Sequence, residues 1–180
     1  MKYKAVLLCA GHSDRDPGAM AAGFTEAEIV TDFRDRVAGY LQAAGVAVIM
    51  DGPPGVNQPL TEAIALAYAN PELLPIEFHC NAFSSPAASG VETLSGAGLF
   101  GLGDSLCDVI SKVLGIPNRK AKPEGPGQHA TLGFVRAGGI IVELFFITNP
   151  SDRSRFMFRR DDLAAVVALA IERYVGPAKD

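Results

Sequence analysis

Residues 140–147 read IIVELFFI and decide the fold class, because seven of these eight side chains are apolar. A strand of this composition must be covered on both faces, as the strands of parallel sheets are. Elsewhere in the chain, apolar runs of strand length alternate with segments of helical period, which is typical of α/β domains. We therefore expect an α/β fold with a mostly parallel sheet and residues 140–147 near its centre.

The remaining predicted elements precede and follow this strand. Strands are expected at 3–9, 46–50, 75–79 and 90–94, and helices at 25–44, 60–69 and 103–114. A last helix begins at Asn149 and should bury one stripe of residues, formed by Leu163, Val166, Val167, Ala170, Ile171 and Tyr174. Gly and Pro residues predict a loop at 52–59, and a polar segment rich in both predicts a mobile loop at 118–129.

The composition is that of one folded domain. The chain has 180 residues, of which 48% are apolar and 20% charged, and this length is sufficient for one ordinary hydrophobic core. We see no linker or repeat and expect a single domain over residues 1–180. The net charge of −4 gives no attraction to phosphate backbones, so we expect no nucleic-acid partner.

The three cysteines, Cys9, Cys80 and Cys107, are an odd number and form no CxxC pair. Neither a disulfide framework nor a thiolate zinc site is expected. No apolar stretch approaches the roughly 20 residues that span a bilayer, and the N-terminal apolar run is too short for a signal peptide. The sequence therefore predicts a soluble protein made in the cytoplasm without a membrane segment; it does not set the oligomeric state.

Ionisable residues stand at the ends of the predicted strands. His12 follows the first strand, His79 closes the strand at 75–79, and Glu143 interrupts the central apolar run. The carboxyl ends of parallel strands meet at one edge of a sheet, where α/β proteins place their sites. An unpaired carboxylate in such a strand is costly, so Glu143 needs a partner. For His79 alone, a hydrogen-bonded core histidine is the alternative reading.

Glu26 supplies a further carboxylate through helical geometry. At about 100° per residue, its direction on the helix at 25–44 is shared by apolar residues, namely Ile29, Val30, Phe33, Val37, Tyr40 and Leu41. Glu28 lies about 200° away, on the expected solvent face. The alternative role for Glu26 is a first-turn carboxylate that is stabilised by the helix dipole.

Together His12, Glu26 and His79 make a His, Glu, His set, the ligand class of catalytic zinc hydrolases with one position open for water. Bound zinc would lower the pKa of that water to about 7 and polarise a carbonyl, while Glu143 takes the water proton and passes it to a leaving nitrogen. This chemistry is amide hydrolysis. The motifs HExxH and HxxEH are absent from the sequence, so these ligands would be scattered along the chain.

Four motifs carry a resemblance to a known family. GHSDRDPGA at 11–19 resembles GHGGxDPGA, HCNA at 79–82 resembles HxNA, GVETL at 90–94 resembles the GxEvy strand, and VELFFITNP at 142–150 resembles vExGFiSNP. In this order, over almost the whole chain, they resemble the zinc-dependent N-acetylmuramoyl-L-alanine amidases of the third common type. The family's paired glycines are replaced by Ser13 and Asp14, which changes the loop beside the expected metal.

The resemblance implies one zinc ion held by His12, Glu26 and His79, with Glu143 as the catalytic carboxylate. It also implies a twisted six-stranded sheet with helices on both faces. The implied substrate is peptidoglycan, cleaved between the lactyl group of N-acetylmuramic acid and L-alanine. The resemblance assigns no residue of the substrate groove. Three interpretations of His129 stay open: a third imidazole ligand, a residue that contacts the substrate, and an ordinary exposed histidine.

Three other residues near these motifs have structural interpretations. Cys80 is adjacent to His79, but neighbouring strand residues point to opposite faces, so a thiol mechanism is not expected. We expect Glu92 to form structural hydrogen bonds and Asn81 to orient its loop.

The biological role is expected to be that of a phage or prophage endolysin, which would reach the cell wall after the membrane is permeabilised. A host wall-remodelling enzyme is the alternative within the same activity. Two rivals have other activities: a non-catalytic wall-binding module of the same fold, and a zinc peptidase that acts on free peptides.

Overall fold

Six strands form one sheet within the part of the chain that the computed structural model describes, residues 3–13, 15–124 and 132–176. In chain order the elements are β1 (Ala5–Ala10), β2 (Met20–Ala21), β3 (Phe24–Thr25), α1 (Glu26–Ala43), β4 (Val48–Met50), α2 (Leu60–Ala69), β5 (Leu73–Asn81), β6 (Val91–Ser95), α3 (Phe100–Leu114), β7 (Asn118–Lys122), α4 (Gly133–Arg136), β8 (Ile140–Phe146) and α5 (Pro150–Val175). The predicted strands and helices are all present, and β5 extends beyond both predicted ends.

The sheet has the order β4-β1-β5-β8-β6-β7. Strands β4, β1, β5 and β8 are parallel to one another, β6 is antiparallel to β8, and β7 is parallel to β6. Every residue of β8 is buried, as the apolar run predicted. The expected α/β fold with a mostly parallel six-stranded sheet is confirmed.

Helices cover both faces of the sheet, because alternate side chains of each strand point to opposite sides. On one face, α1, α3 and α5 pack on a large core that includes Val6, Leu74 and Val142. On the other, α2 and α4 pack on a smaller core that includes Leu7 and Ile141. None of the described helices is both long and apolar enough to cross a bilayer.

The prediction of a loop over 118–129 was wrong for its first part, because Asn118–Lys122 is strand β7. The sequence NRKAK has no apolar alternation from which a strand could be predicted. Strand β7 is an edge strand with one neighbour, and charged side chains on such a strand prevent it from pairing with another chain. His129 and the other residues of 125–131 lie outside the described residues.

Two predicted members of buried helical stripes are exposed. Tyr40 is 44% exposed and Tyr174 37% exposed. In α1 the buried sector is centred on Val30, Val37 and Leu41, so Tyr40 lies at its border. Tyr174 lies in the last turn of α5 and contacts the ring of Tyr3.

Candidate metal centre

The three parallel strands β1, β5 and β8 are neighbours, and each brings one ionisable side chain to the same edge of the sheet. His12 lies two residues beyond β1, His79 lies near the end of β5, and Glu143 lies in β8. His79 and Glu143 are paired residues of the two strands. The structure thus brings these three predicted residues together.

Glu26 lies between the two imidazoles. Its Oε2 is 3.2 Å from His12 Nε2, and its Oε1 is 3.0 Å from His79 Nδ1. Backbone N–H groups of Ala19 and Cys80 donate to the same two oxygens. The Glu26 carboxylate is therefore fixed by four partners.

The start of α1 separates Glu26 from Glu28. Thr25 caps the helix by accepting from the N–H of Glu28, and the Glu28 side chain accepts from Thr25 in return. This capping box leaves Glu28 exposed, whereas Glu26 is only 3% exposed. The two neighbouring carboxylates thus have different surroundings, as the helical period indicated.

The electrostatics of this cluster keep Glu26 ionised and make both imidazoles more basic. Burial opposes the charged form of Glu26, but its bonds to His12 and His79 outweigh burial and hold its pKa well below the usual range. The bond to Glu26 raises the pKa of His12. Burial opposes the charged form of His79, yet the carboxylates of Glu77 and Glu26 raise its pKa well above the ordinary value.

The donor set fits zinc. The candidate ligand atoms of His12, Glu26 and His79 all lie within 4.8 Å of one another. Two ligands about 2.1 Å from a tetrahedral zinc ion lie about 3.4 Å apart, close to the two distances between Glu26 and the imidazoles. The side chains of His12 and His79 are 25% and 17% exposed and line a cleft of about 270 Å³, so solvent and substrate can approach them.

Glu143 stands beside this cluster with spare hydrogen-bonding capacity. It is 8% exposed, and within the described part of the chain its Oε2 is buried without a hydrogen-bond partner. Burial raises its pKa to about 7, helped by the charges of Glu26, Glu92 and Glu77 and opposed by that of His79. Folded proteins leave few buried polar atoms unpaired, and groups with a catalytic role are among the exceptions.

The turn that carries His12 is built from close contacts. His12 has a φ of +65°, a left-handed conformation that is strained for a residue with a side chain. A Cβ on Gly11 would lie 2.2 Å from His79 Cε1, and one on Gly18 would lie 2.5 Å from His12 Cδ2. Both positions therefore require glycine, so that the two imidazoles can approach.

A buried arginine supports this turn from behind. Arg34 is fully buried and pairs with Asp51, and its Nη2 donates to the carbonyl of Val56. Asp51 accepts from the N–H of Ala10, and Asn57 Nδ2 donates to the carbonyls of Ala10 and His12. The side chains from α1 and the loop after β4 thus fix the backbone between β1 and His12.

Replacing Asp51 with alanine should lower the free energy of unfolding by about 3 kcal/mol, because the buried charge of Arg34 would then be offset by Asp35 alone. Urea denaturation measures the loss. The matched control is Asp32→Ala, which breaks a pair with Arg36 at the surface and should cost about 0–1 kcal/mol. Equal losses in the two variants would contradict this account of Arg34.

Cys80 and Glu92 have the surroundings that their sequence positions indicated. Cys80 belongs to the core on the face opposite His79, and burial raises the pKa of its thiol well above the ordinary value. Glu92 accepts from Asn81 Nδ2 and pairs with Arg119 and Lys122.

The interpretation of the sequence missed three residues of the site. Arg34 follows Val30 and precedes Ala38 by four residues, and both of these are buried, so the helical period indicated its burial. Glu77 lies two residues before His79, and strand alternation placed it on the same face. Asp16 Oδ2 lies 3.0 Å from His12 Nδ1. The four-residue spacing did not reveal this contact, because the segment is not helical.

Comparisons with known proteins show which family shares this sequence and fold. LytC of Bacillus subtilis (strain 168), an N-acetylmuramoyl-L-alanine amidase, is 26% identical over 157 residues, which are 84% of this chain and 31% of LytC; the chain thus spans about a third of that relative. A crystal structure from Neisseria meningitidis, assigned as an amidase of this kind, is 35% identical with a TM-score of 0.88 and covers 98% of both chains. The N-acetylmuramoyl-L-alanine amidase of Clostridium difficile 630 is 19% identical with a TM-score of 0.81, over 96% of this chain and 97% of that one, and shows the same fold.

The family model described as N-acetylmuramoyl-L-alanine amidase matches residues 6–173. This match includes the candidate ligands, Glu143 and all six strands of the main sheet except the first residue of β1. The chain belongs to the N-acetylmuramoyl-L-alanine amidase family.

Proposed function

We propose that residues 1–180 form a single catalytic domain that hydrolyses peptidoglycan at the amide bond between N-acetylmuramic acid and L-alanine. The observation that carries this proposal is the cluster of His12, Glu26 and His79 beside the buried carboxylate of Glu143. Membership of the amidase family supports the choice of bond.

His12, Glu26 and His79 would hold one zinc ion. When bound, zinc supplies a Lewis acid for the scissile carbonyl and an acidified water molecule. The chain's own residues then do the rest: Glu143 accepts the proton of the attacking water and passes it to the leaving amide nitrogen. The pairing of Glu143 with His79 across adjacent strands keeps this carboxylate next to a candidate zinc ligand.

The proposal is tested by incubating the purified protein with peptidoglycan and analysing the products by mass spectrometry, together with a zinc determination. New L-alanine amino termini with intact glycan strands are expected. Binding without release of products would favour the wall-binding module, and cleavage elsewhere in the stem peptide, or of free peptides, would favour the zinc peptidase.

Within this activity we propose the role of a phage or prophage endolysin, as the sequence led us to expect. Expression in the host with and without a membrane-permeabilising protein tests it. Lysis that needs the permeabilising protein, and a gene lying among phage genes, are the expected results; a gene among host wall genes would contradict the lysin role.

Replacing Gly11 with alanine should reduce kcat/KM by about 100-fold, since a misplacement near 1 Å costs that much and the new methyl group would displace the His79 imidazole. Hydrolysis of soluble peptidoglycan fragments measures the effect. The control is Gly39→Ala in α1, where an added Cβ meets no atom within 4 Å, and activity should be kept. Normal activity of the Gly11 variant would show that His79 need not stay where the structure places it.

A further inference from the structure

Glu77 is a buried carboxylate that the proposed reaction does not use. It lies on β5 two residues before His79, on the same face of the strand, and is 1% exposed. Its Oε2 is 3.0 Å from His79 Nε2, while within the described residues its Oε1 has no hydrogen-bond partner. Such a group is costly to a fold, so packing alone does not explain it.

The two ring nitrogens of His79 face different carboxylates. Nδ1 is 3.0 Å from Glu26 Oε1, inside the candidate ligand cluster, and Nε2 is 3.0 Å from Glu77 on the far side of the ring. A neutral imidazole carries one N–H, and the nitrogen without it has the lone pair that a metal needs. A carboxylate that accepts from Nε2–H therefore leaves Nδ1 for the metal.

We infer that Glu77 is a positioning residue for the metal: it holds His79 in the Nε2–H form, fixes the ring plane and strengthens Nδ1 as a ligand. Carboxylates that accept from a ligand histidine act in this way in other zinc sites. The inference rests on the proposed ligand set, because it assigns no ligand of its own.

The second imidazole has a weaker version of the same arrangement. His12 turns Nε2 toward Glu26, and its Nδ1 is 3.0 Å from Asp16 Oδ2. The Asp16 side chain is 68% exposed, so water competes for this contact, whereas Glu77 is excluded from water. We therefore expect Glu77 to matter more than Asp16 for metal affinity.

The experiment measures the zinc dissociation constant by competition with a chromophoric chelator. Glu77→Ala should bind zinc about 10- to 100-fold more weakly than the wild type. Glu77→Gln should lose less, because its amide oxygen can still accept from Nε2–H. The matched control is Glu92→Gln, a buried carboxylate on the same face of the sheet that contacts no candidate ligand; its affinity should stay within about threefold of wild type, since these effects require contact with a ligand.

A stability measurement separates a role in metal binding from a role in the fold. Zinc stabilises the folded chain by an amount that falls as its dissociation constant rises. In Glu77→Ala the melting temperature in excess chelator should fall, because His79 loses its buried pair with Glu77, and the increase on adding zinc should shrink as well. An equal fall with and without zinc would overturn the inference, as would an unchanged dissociation constant.

Histidine-selective ¹⁵N NMR gives a readout that is independent of the zinc dissociation constant and of the melting temperature. The spectrum should be simple to assign, because the chain has three histidines. Zinc-loaded wild type should show His79 with a slowly exchanging Nε2–H and a metal-shifted Nδ1, and Glu77→Ala should lose the slow exchange. Zinc on Nε2 of His79 would overturn the inference. If the wild type itself binds no zinc, the ligand set and the proposed function fail instead, so the two failures are distinguishable.

Discussion

Glu143→Gln should lower kcat by about 10²- to 10⁴-fold, the usual contribution of a general acid–base group, while zinc remains bound. Glutamine preserves the shape of the side chain but cannot accept the proton of the attacking water or return it to the leaving nitrogen. Because Glu143 is absent from the candidate ligand set, the loss of its charge removes no bond to the metal. This variant should therefore lose turnover but keep its zinc.

The measurements are turnover of soluble peptidoglycan fragments and zinc content of the same preparation. Glu143→Ala should behave in the same way, and exposed Glu62→Gln on α2 is a control for charge removal alone. Loss of zinc from the Glu143 variants would show that the assignment of roles between Glu143 and the three ligands is wrong.

His79→Ala should deplete zinc and abolish turnover, because two remaining ligands hold a metal far more weakly than three. The variant also leaves Glu26 and Glu77 without the imidazole that lies 3.0 Å from each. Elemental analysis after dialysis against a weak chelator measures the zinc that is retained.

The same analysis on His129→Ala provides the control, and we expect full zinc content there, as for an ordinary histidine. Full occupancy and normal activity in His79→Ala would contradict the proposed site. Zinc loss in His129→Ala would instead indicate that His129 is a further ligand of the proposed site.

The parts of the fold and site that were predictable share a local signal. The run around Glu143 is apolar at both alternate sets of positions, so as a strand it must be covered on both faces. Polar residues at the ends of neighbouring parallel strands then meet at one edge of the sheet. Glu26 was separable from Glu28 because the period of a helix is fixed. The resemblance of four motifs then assigned the chemistry that spacing alone left open.

The parts that were not predictable depend on contacts between distant segments. Strand β7 has no pattern of its own and is formed because β6 offers it an open edge. The pair of Arg34 and Asp51 joins residues 17 positions apart, so the helical period indicates that Arg34 is buried but not which carboxylate pairs with it. Strand alternation places Glu77 on the same face as His79, but its contact with Nε2 depends on the orientation of the His79 ring, which the sequence does not give.

The change of strand direction between β8 and β6 has a consequence for the surroundings of the candidate metal centre. Because β6 and β7 run opposite to the other four strands, the connections that enter them, such as residues 82–90, reach the sheet edge where β1, β5 and β8 end. The candidate metal centre is thus bordered by two sets of connections: the one after β1 carries His12 and leads to Glu26, and the one that enters β6 and β7 carries no candidate ligand. Lengthening the second set would change the surface around the candidate metal centre without moving a candidate ligand.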